Sequence, residues 1–140
     1  ASIDERNRMF LSALSFLLAQ EKPFTILDFG GAWGQDFFLL KHFIGLHRLE
    51  RYFLCENKKV AHAFQKVLEN EKKLTIISDI QEIPKETHIN FIYLSGTLQY
   101  LEKPHDILDK LLDLKPDFLF LNRFPTWNKV TTLTKQLRPR

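Results

Sequence analysis

Apolar residues along this chain recur in two alternating rhythms, one helical and one of short continuous runs. Ile3, Phe10, Leu14, Leu17 and Leu18 fall at helical spacing and predict an amphipathic helix over 3–20. Ser2 and Glu5 have the spacing of a capping box at its start. Lys22 and Pro23 end it. Residues 24–29 then read Phe-Thr-Ile-Leu-Asp-Phe and run into Gly30 and Gly31, which predicts a buried strand and a turn. Helical spacing returns over 35–46 with Phe37, Phe38, Leu40, Lys41 and Ile44. Residues 51–56 read as a second strand. Val60, Phe64, Val67 and Leu68 make one stripe of the next helix. Further strands are predicted at 74–78, 89–94 and 117–122. Pro104 suits the first turn of a helix whose apolar face is Ile107, Leu108, Leu111 and Leu112.

Strands that alternate with helices are the mark of βαβ units, hence an α/β protein with a doubly wound parallel sheet covered on both faces. Right-handed crossovers leave few topologies, and the expected strand order is 3-2-1-4-5. The whole of 1–140 reads as one domain: an N-terminal helix to residue 22, a core over 23–125 and a basic tail over 126–140. In the tail, Val130, Thr131, Thr132 and Thr134 are β-branched, which predicts a segment over 129–137 that is extended or poorly ordered rather than helical. Such a segment could pair with a second molecule and make a homodimer through the C-terminal edge. The competing picture is a helix carrying Trp127, Val130, Leu133 and Leu137 onto the sheet.

A length of 140 residues needs no disulfide or metal to stay folded. Apolar residues at 44% and charged residues at 26% exclude a disordered chain. Cys55 is the single cysteine, which points to a reducing, cytoplasmic setting. No apolar run approaches the ~20 residues of a membrane span. No basic segment precedes an apolar stretch, so no signal peptide is read. The chain opens on Ala1 rather than Met, as a trimmed start would. The net charge is +3, but no acidic residue follows Asp117. Arg123, Lys129, Lys135, Arg138 and Arg140 all fall in that stretch, leaving residues 1–117 at −2. Nucleic-acid binding is not expected, because aromatics do not interleave with the basic residues and no binding motif is present. The five histidines show no metal-ligand spacing. His105 is read either as a base near the site or as a solvent-facing first-turn residue.

The chemistry concentrates in Ile26-Leu-Asp-Phe-Gly-Gly-Ala-Trp-Gly34, where the first strand meets the first crossover helix. Glycines there let backbone approach a ligand and take positive φ. Dinucleotide sites use G-x-G-x-x-G at this place. The spacing here is tighter, Gly30-x-Ala32-x-Gly34, and Asp28 stands two residues before the first glycine. A carboxylate would repel a pyrophosphate and favour a ligand carrying positive charge. Glu56 ends the second strand, where a carboxylate can accept from both ribose hydroxyls. Asp79, past the third strand, can accept from an adenine amino group. Each alone could be only a turn or cap residue.

This constellation resembles the class I methyltransferases, whose first motif is D-x-G-x-G-x-G, with Ala32 at the middle glycine. The resemblance implies a Rossmann-like fold that binds S-adenosylmethionine. By position, Asp28, Phe29, Gly30, Gly31 and Gly34 would surround the methionine part of the cofactor. Glu56 would hold the ribose, Asp79 and Ile80 would flank the adenine, and Ser95 would sit near the sulfonium. Residues 94–104 and Asn122-Arg-Phe-Pro125 resemble, more narrowly, a group of bacterial methyltransferases often encoded among surface-polysaccharide genes. That likeness spans roughly 24–137 and implies a small-molecule or saccharide acceptor. The group continues into more chain, so strands six and seven are expected to be missing or incomplete here. Gln99, Tyr100 and Arg123 are the substrate-side candidates. Tyr100 could instead pack over the cofactor. Arg123 could pair with an acidic sugar or phosphate, or with a neighbouring carboxylate. Trp33 could cover the ligand or wedge against the first crossover helix. Two rival readings stand beside methyl transfer: an NAD(P)-dependent oxidoreductase, and a degenerate methyltransferase-like domain that serves as a non-catalytic interaction module.

Overall fold

The computed structural model describes residues 5–123, with side chains from Arg8 onward. The capping box, Ile3, residues 124–125 and every expectation for the tail over 126–140 lie outside the described residues. The elements run α1 (Glu5–Ala19), β1 (Phe24–Phe29), α2 (Gln35–Phe43), β2 (Leu49–Cys55), α3 (Lys58–Gln65), β3 (Leu74–Ile77), β4 (Phe91–Ser95), α4 (Pro104–Leu112) and β5 (Phe118–Asn122). Single 3-10 turns at Ile80–Glu82 and Leu98–Tyr100 follow β3 and β4.

The five strands form one sheet in the order β3-β2-β1-β4-β5, with every pairing parallel. This is the doubly wound, Rossmann-like arrangement that the strand–helix alternation predicts. Alternate residues of each strand supply two separate cores. Ile26, Tyr52, Leu54 and Tyr93 face α1, α2 and α3, where Phe10, Leu14, Phe37, Leu40 and Phe64 close over them. Leu27, Phe53, Ile77 and Ile92 face the other side, under Leu98 and Leu111. Strands buried on both faces explain why these segments read as continuous apolar runs.

Element ends depart from the sequence expectation where specific groups intervene. β2 begins two residues early because the Phe24 amide bonds to the Arg48 carbonyl and Phe24 pairs with Leu49. β4 begins two residues late. Asn90 ahead of it accepts the Thr25 amide on its side-chain Oδ1 at 2.8 Å, in place of a backbone carbonyl. α2 stops at Phe43, where Gly45 at φ +84° turns the chain and bonds back to Leu40. Two stripe residues are corrections. α3 ends at Gln65, so Val67 lies past it and is 70% exposed. Leu112 lies about 100° round the helix from buried Leu111 and faces solvent.

Candidate functional site

A parallel sheet of this kind presents its ligand crevice at the carboxyl ends of the strands, where the strand order reverses. Here β1 lies between β2 and β4, and the loops after β1, β2, β3 and β4 converge on one cleft. Its volume is about 320 Å³. That falls within the roughly 300–1,000 Å³ of small-molecule sites. Five residues singled out in the sequence line it: Phe29, Gly30, Glu56, Asp79 and Ile80. Thr97, from the loop after β4, and Leu101, Ile107 and Lys110, from the turn and helix beyond, complete the wall.

The glycine loop is held by contacts that use its missing side chains. Gly30 has φ +76°, and a Cβ there would sit 2.4 Å from Thr97 Oγ1, so the loops after β1 and β4 touch through it. Ala32 takes φ +50° and Gly34 φ +65°. The turn therefore demands the left-handed region at Ala32 too, which a Cβ disfavours. The Ala32 amide donates to Glu56 Oε1 at 2.7 Å. Glu56 Oε2 accepts the Asn57 amide at 3.1 Å. Glu56 thus ties the glycine loop to the end of β2 while remaining on the cleft wall.

Asp79 also has a local partner, since its Oδ1 accepts the Gln81 amide at 2.9 Å and caps the 3-10 turn. Glu82 reaches back to the Ser78 hydroxyl at 2.8 Å and to the Ser78 and Asp79 amides. Those bonds, led by the Ser78 hydroxyl, hold its carboxyl below the ordinary glutamate value. Both cleft carboxylates, Glu56 as a tether and Asp79 as a cap, therefore combine a local structural role with a place on the wall.

Asp28 stands differently from the sequence expectation. It shares its side of β1 with Ile26, so its carboxyl turns toward the helical layer of α1 and α2, and is 1% exposed. Tyr52 donates its hydroxyl to Oδ2 at 2.8 Å. Burial, with the nearby charge of Asp36, pushes the Asp28 pKa up to about 8, so the group is mostly protonated at pH 7. The expected electrostatic preference for a cationic ligand does not come from an ionised Asp28 facing the cleft. Gly31, Gly34 and Ser95 are not among the residues that line this cleft.

Cys55 is a wall residue the sequence reading passed over. It is 4% exposed, and burial pushes its thiol up to about 12. Thr97 and Leu101, from the loop and turn after β4, and Ile107 and Lys110 were also missed as site residues; the last two reach the cleft only through the docking of α4 against the sheet. Gln99 and Tyr100 lie exposed on the turn after β4. Trp33 is 73% exposed and sets its ring edge-on to Phe64 of α3, 4.4 Å between centroids. It lines, with Glu56 and Phe64, a separate hollow beside α3 and is not among the residues of the cleft wall. His105 is solvent-facing in the first turn of α4.

No helix among the described residues is long and apolar enough to cross a membrane. No family model matches the chain, and no curated protein matches it.

Proposed function

We propose that this domain binds S-adenosylmethionine and transfers its methyl group to a small-molecule or saccharide acceptor. The observation that carries the reading is convergence. Residues after three successive strands, Gly30, Glu56 and the pair Asp79 and Ile80, line one cleft in the order that the methyltransferase motifs require. The lone pairs Glu56 does not spend on Ala32 and Asn57 would accept ribose hydroxyls. Asp79 would accept an amino group, and the apolar sides of Ile80, Leu101 and Ile107 would hold an aromatic ring.

When bound, the cofactor supplies an electrophilic methyl group on a cationic sulfur. The protein's task is then mostly to hold donor and acceptor in contact, which supplies a large part of such a barrier's reduction. The Glu56 carboxylate, 2.7 Å from the loop amide of Ala32, favours a cofactor with no phosphate at the glycine loop. A pyrophosphate seated there would meet that negative charge. This supports S-adenosylmethionine over NAD(P).

Calorimetry tests the reading. S-adenosylhomocysteine is expected to bind with measurable heat, and NAD and NADP are not. Heat from NAD alone would favour the oxidoreductase, and silence from all three would favour the non-catalytic interaction module.

A further inference from the structure

We infer that the methyl acceptor carries an anionic group, a carboxylate or a phosphate, and that the Arg123 guanidinium receives it. The inference rests on the methyl-transfer reading above and names the acceptor class for that site. Arg123 follows the last residue of β5 at φ +55°, a conformation that a side chain with a Cβ disfavours. Strain of this kind persists where the surrounding structure over-determines it, and it concentrates at ligand sites.

Its consequence here is direction. The turn sends the side chain back across the carboxyl edge of the sheet to Gly96. A Cβ on Gly96 would meet Arg123 Nη2 at 3.4 Å, and Cζ and Nε both at 3.5 Å. Three nearly equal distances mean that the guanidinium lies broadside over Gly96. The Gly96 amide in turn bonds to the Asn122 carbonyl at 2.9 Å. The next residue, Thr97, lines the cleft and meets Gly30. Arg123, Gly96, Thr97 and Gly30 thus form a continuous path from the end of β5 to the cofactor cleft.

The guanidinium has no ion-pair partner among the described residues, whose ion pairs are Lys41–Glu71 and His88–Asp117. Of the acidic residues near the carboxyl edge, Glu56, Asp79 and Glu82 follow β2 and β3, on the other side of β1, while Glu102 and Asp106 follow β4 and make no ion pair among the described residues. No Asp or Glu follows Asp117 in the sequence, so residues 124–140 hold no side-chain carboxylate for it. A planar guanidinium matches a carboxylate or phosphate through two parallel N–H donors. A neutral acceptor would draw nothing from it.

Saturation-transfer NMR with glucuronate, glucose 6-phosphate and glucose tests this, on the protein alone and with S-adenosylhomocysteine present. Both anions are expected to bind and glucose is not, and comparing the two anions identifies the preferred group. Arg123→Asn keeps a residue that tolerates positive φ, so its melting temperature should hold or rise while anion affinity falls at least tenfold. The combined variant Lys129→Gln, Lys135→Gln, Arg138→Gln, Arg140→Gln should keep the anion preference. Equal binding of glucose, unchanged anion affinity in Arg123→Asn, or loss of the preference in the four-fold variant would each overturn the inference. Anion binding without any S-adenosylhomocysteine binding would sink the methyl-transfer reading, and with it the acceptor role.

Discussion

A Cβ placed on Gly31 would lie 2.0 Å from Oδ2 of Asp28. The carboxyl that precedes the glycine loop is therefore its floor. Glycine at 31 is required by the close approach of that buried carboxyl, while Gly30 and Gly34 meet the turn's demand for positive φ. Loop and carboxyl form one packed unit, further tied by Tyr52 below and by Glu56 at the side.

Gly31→Ala should accordingly destabilise the domain by about 1–3 kcal/mol, the usual cost of overpacking. Urea denaturation measures it. In a double-mutant cycle with Asp28→Ala the two effects should be strongly non-additive, because removing the carboxyl makes the space that the methyl needs. Additive losses would mean that Gly31 acts through something other than Asp28.

Asp28 gives stability a pH dependence of unusual sign for an aspartate. Its folded pKa, about 8, lies above the ordinary 3.8. The folded protein therefore holds a proton that the unfolded chain releases across that window. The stabilisation is fully present below pH 3.8 and is lost as pH rises through 8, at up to about 1.4 kcal/mol per pH unit. Asp28→Asn cannot ionise. Its stability relative to the parent protein should climb between pH 5 and pH 8, read from denaturation midpoints at about four pH values. A flat difference would show that Asp28 ionises normally.

Glu56→Ala should weaken S-adenosylhomocysteine at least about tenfold, since hydrogen bonds to a charged group are worth about 1.5–3 kcal/mol. Calorimetry checks it. Unchanged affinity would remove Glu56 from the cofactor site and leave it as a tether for the Ala32 amide.

Ala32→Gly relieves a left-handed alanine, a gain of roughly 1–2 kcal/mol. It adds freedom to the unfolded chain, a loss of about 0.4–1 kcal/mol. The net expectation is a domain equal to or up to about 1.6 kcal/mol more stable than its parent. Thermal denaturation decides, and a clear loss would mean that the alanine methyl makes a packing contact that matters.

Cys55 should resist thiol reagents in the native protein at pH 8, since its thiol is buried and its pKa is raised to about 12. Denaturation should release it to react at the rate of a free cysteine. Fast labelling of the native protein would mean that the cleft wall opens.

The sequence by itself determined the class of fold and the strand order. Apolar runs such as Phe24–Phe29 and Phe91–Ser95 can be buried on both faces only in a covered parallel sheet, and right-handed crossovers then leave little choice of order. It also located the glycine loop, Glu56 and Asp79, because strand ends and turns are written in local residue types. Side-chain direction was less accessible, although it was partly legible. Asp28 shares parity with core residue Ile26, which puts the two on one face of β1, and the structure then shows that this face meets α1 and α2. What only the tertiary structure decided are the contacts between distant segments. Thr97 against Gly30, Trp33 on Phe64 and Arg123 over Gly96 join residues 27 to 67 positions apart, and Lys110 reaches the cleft from α4. Local propensity carries no information about such meetings, because they follow from how whole strands and helices stack.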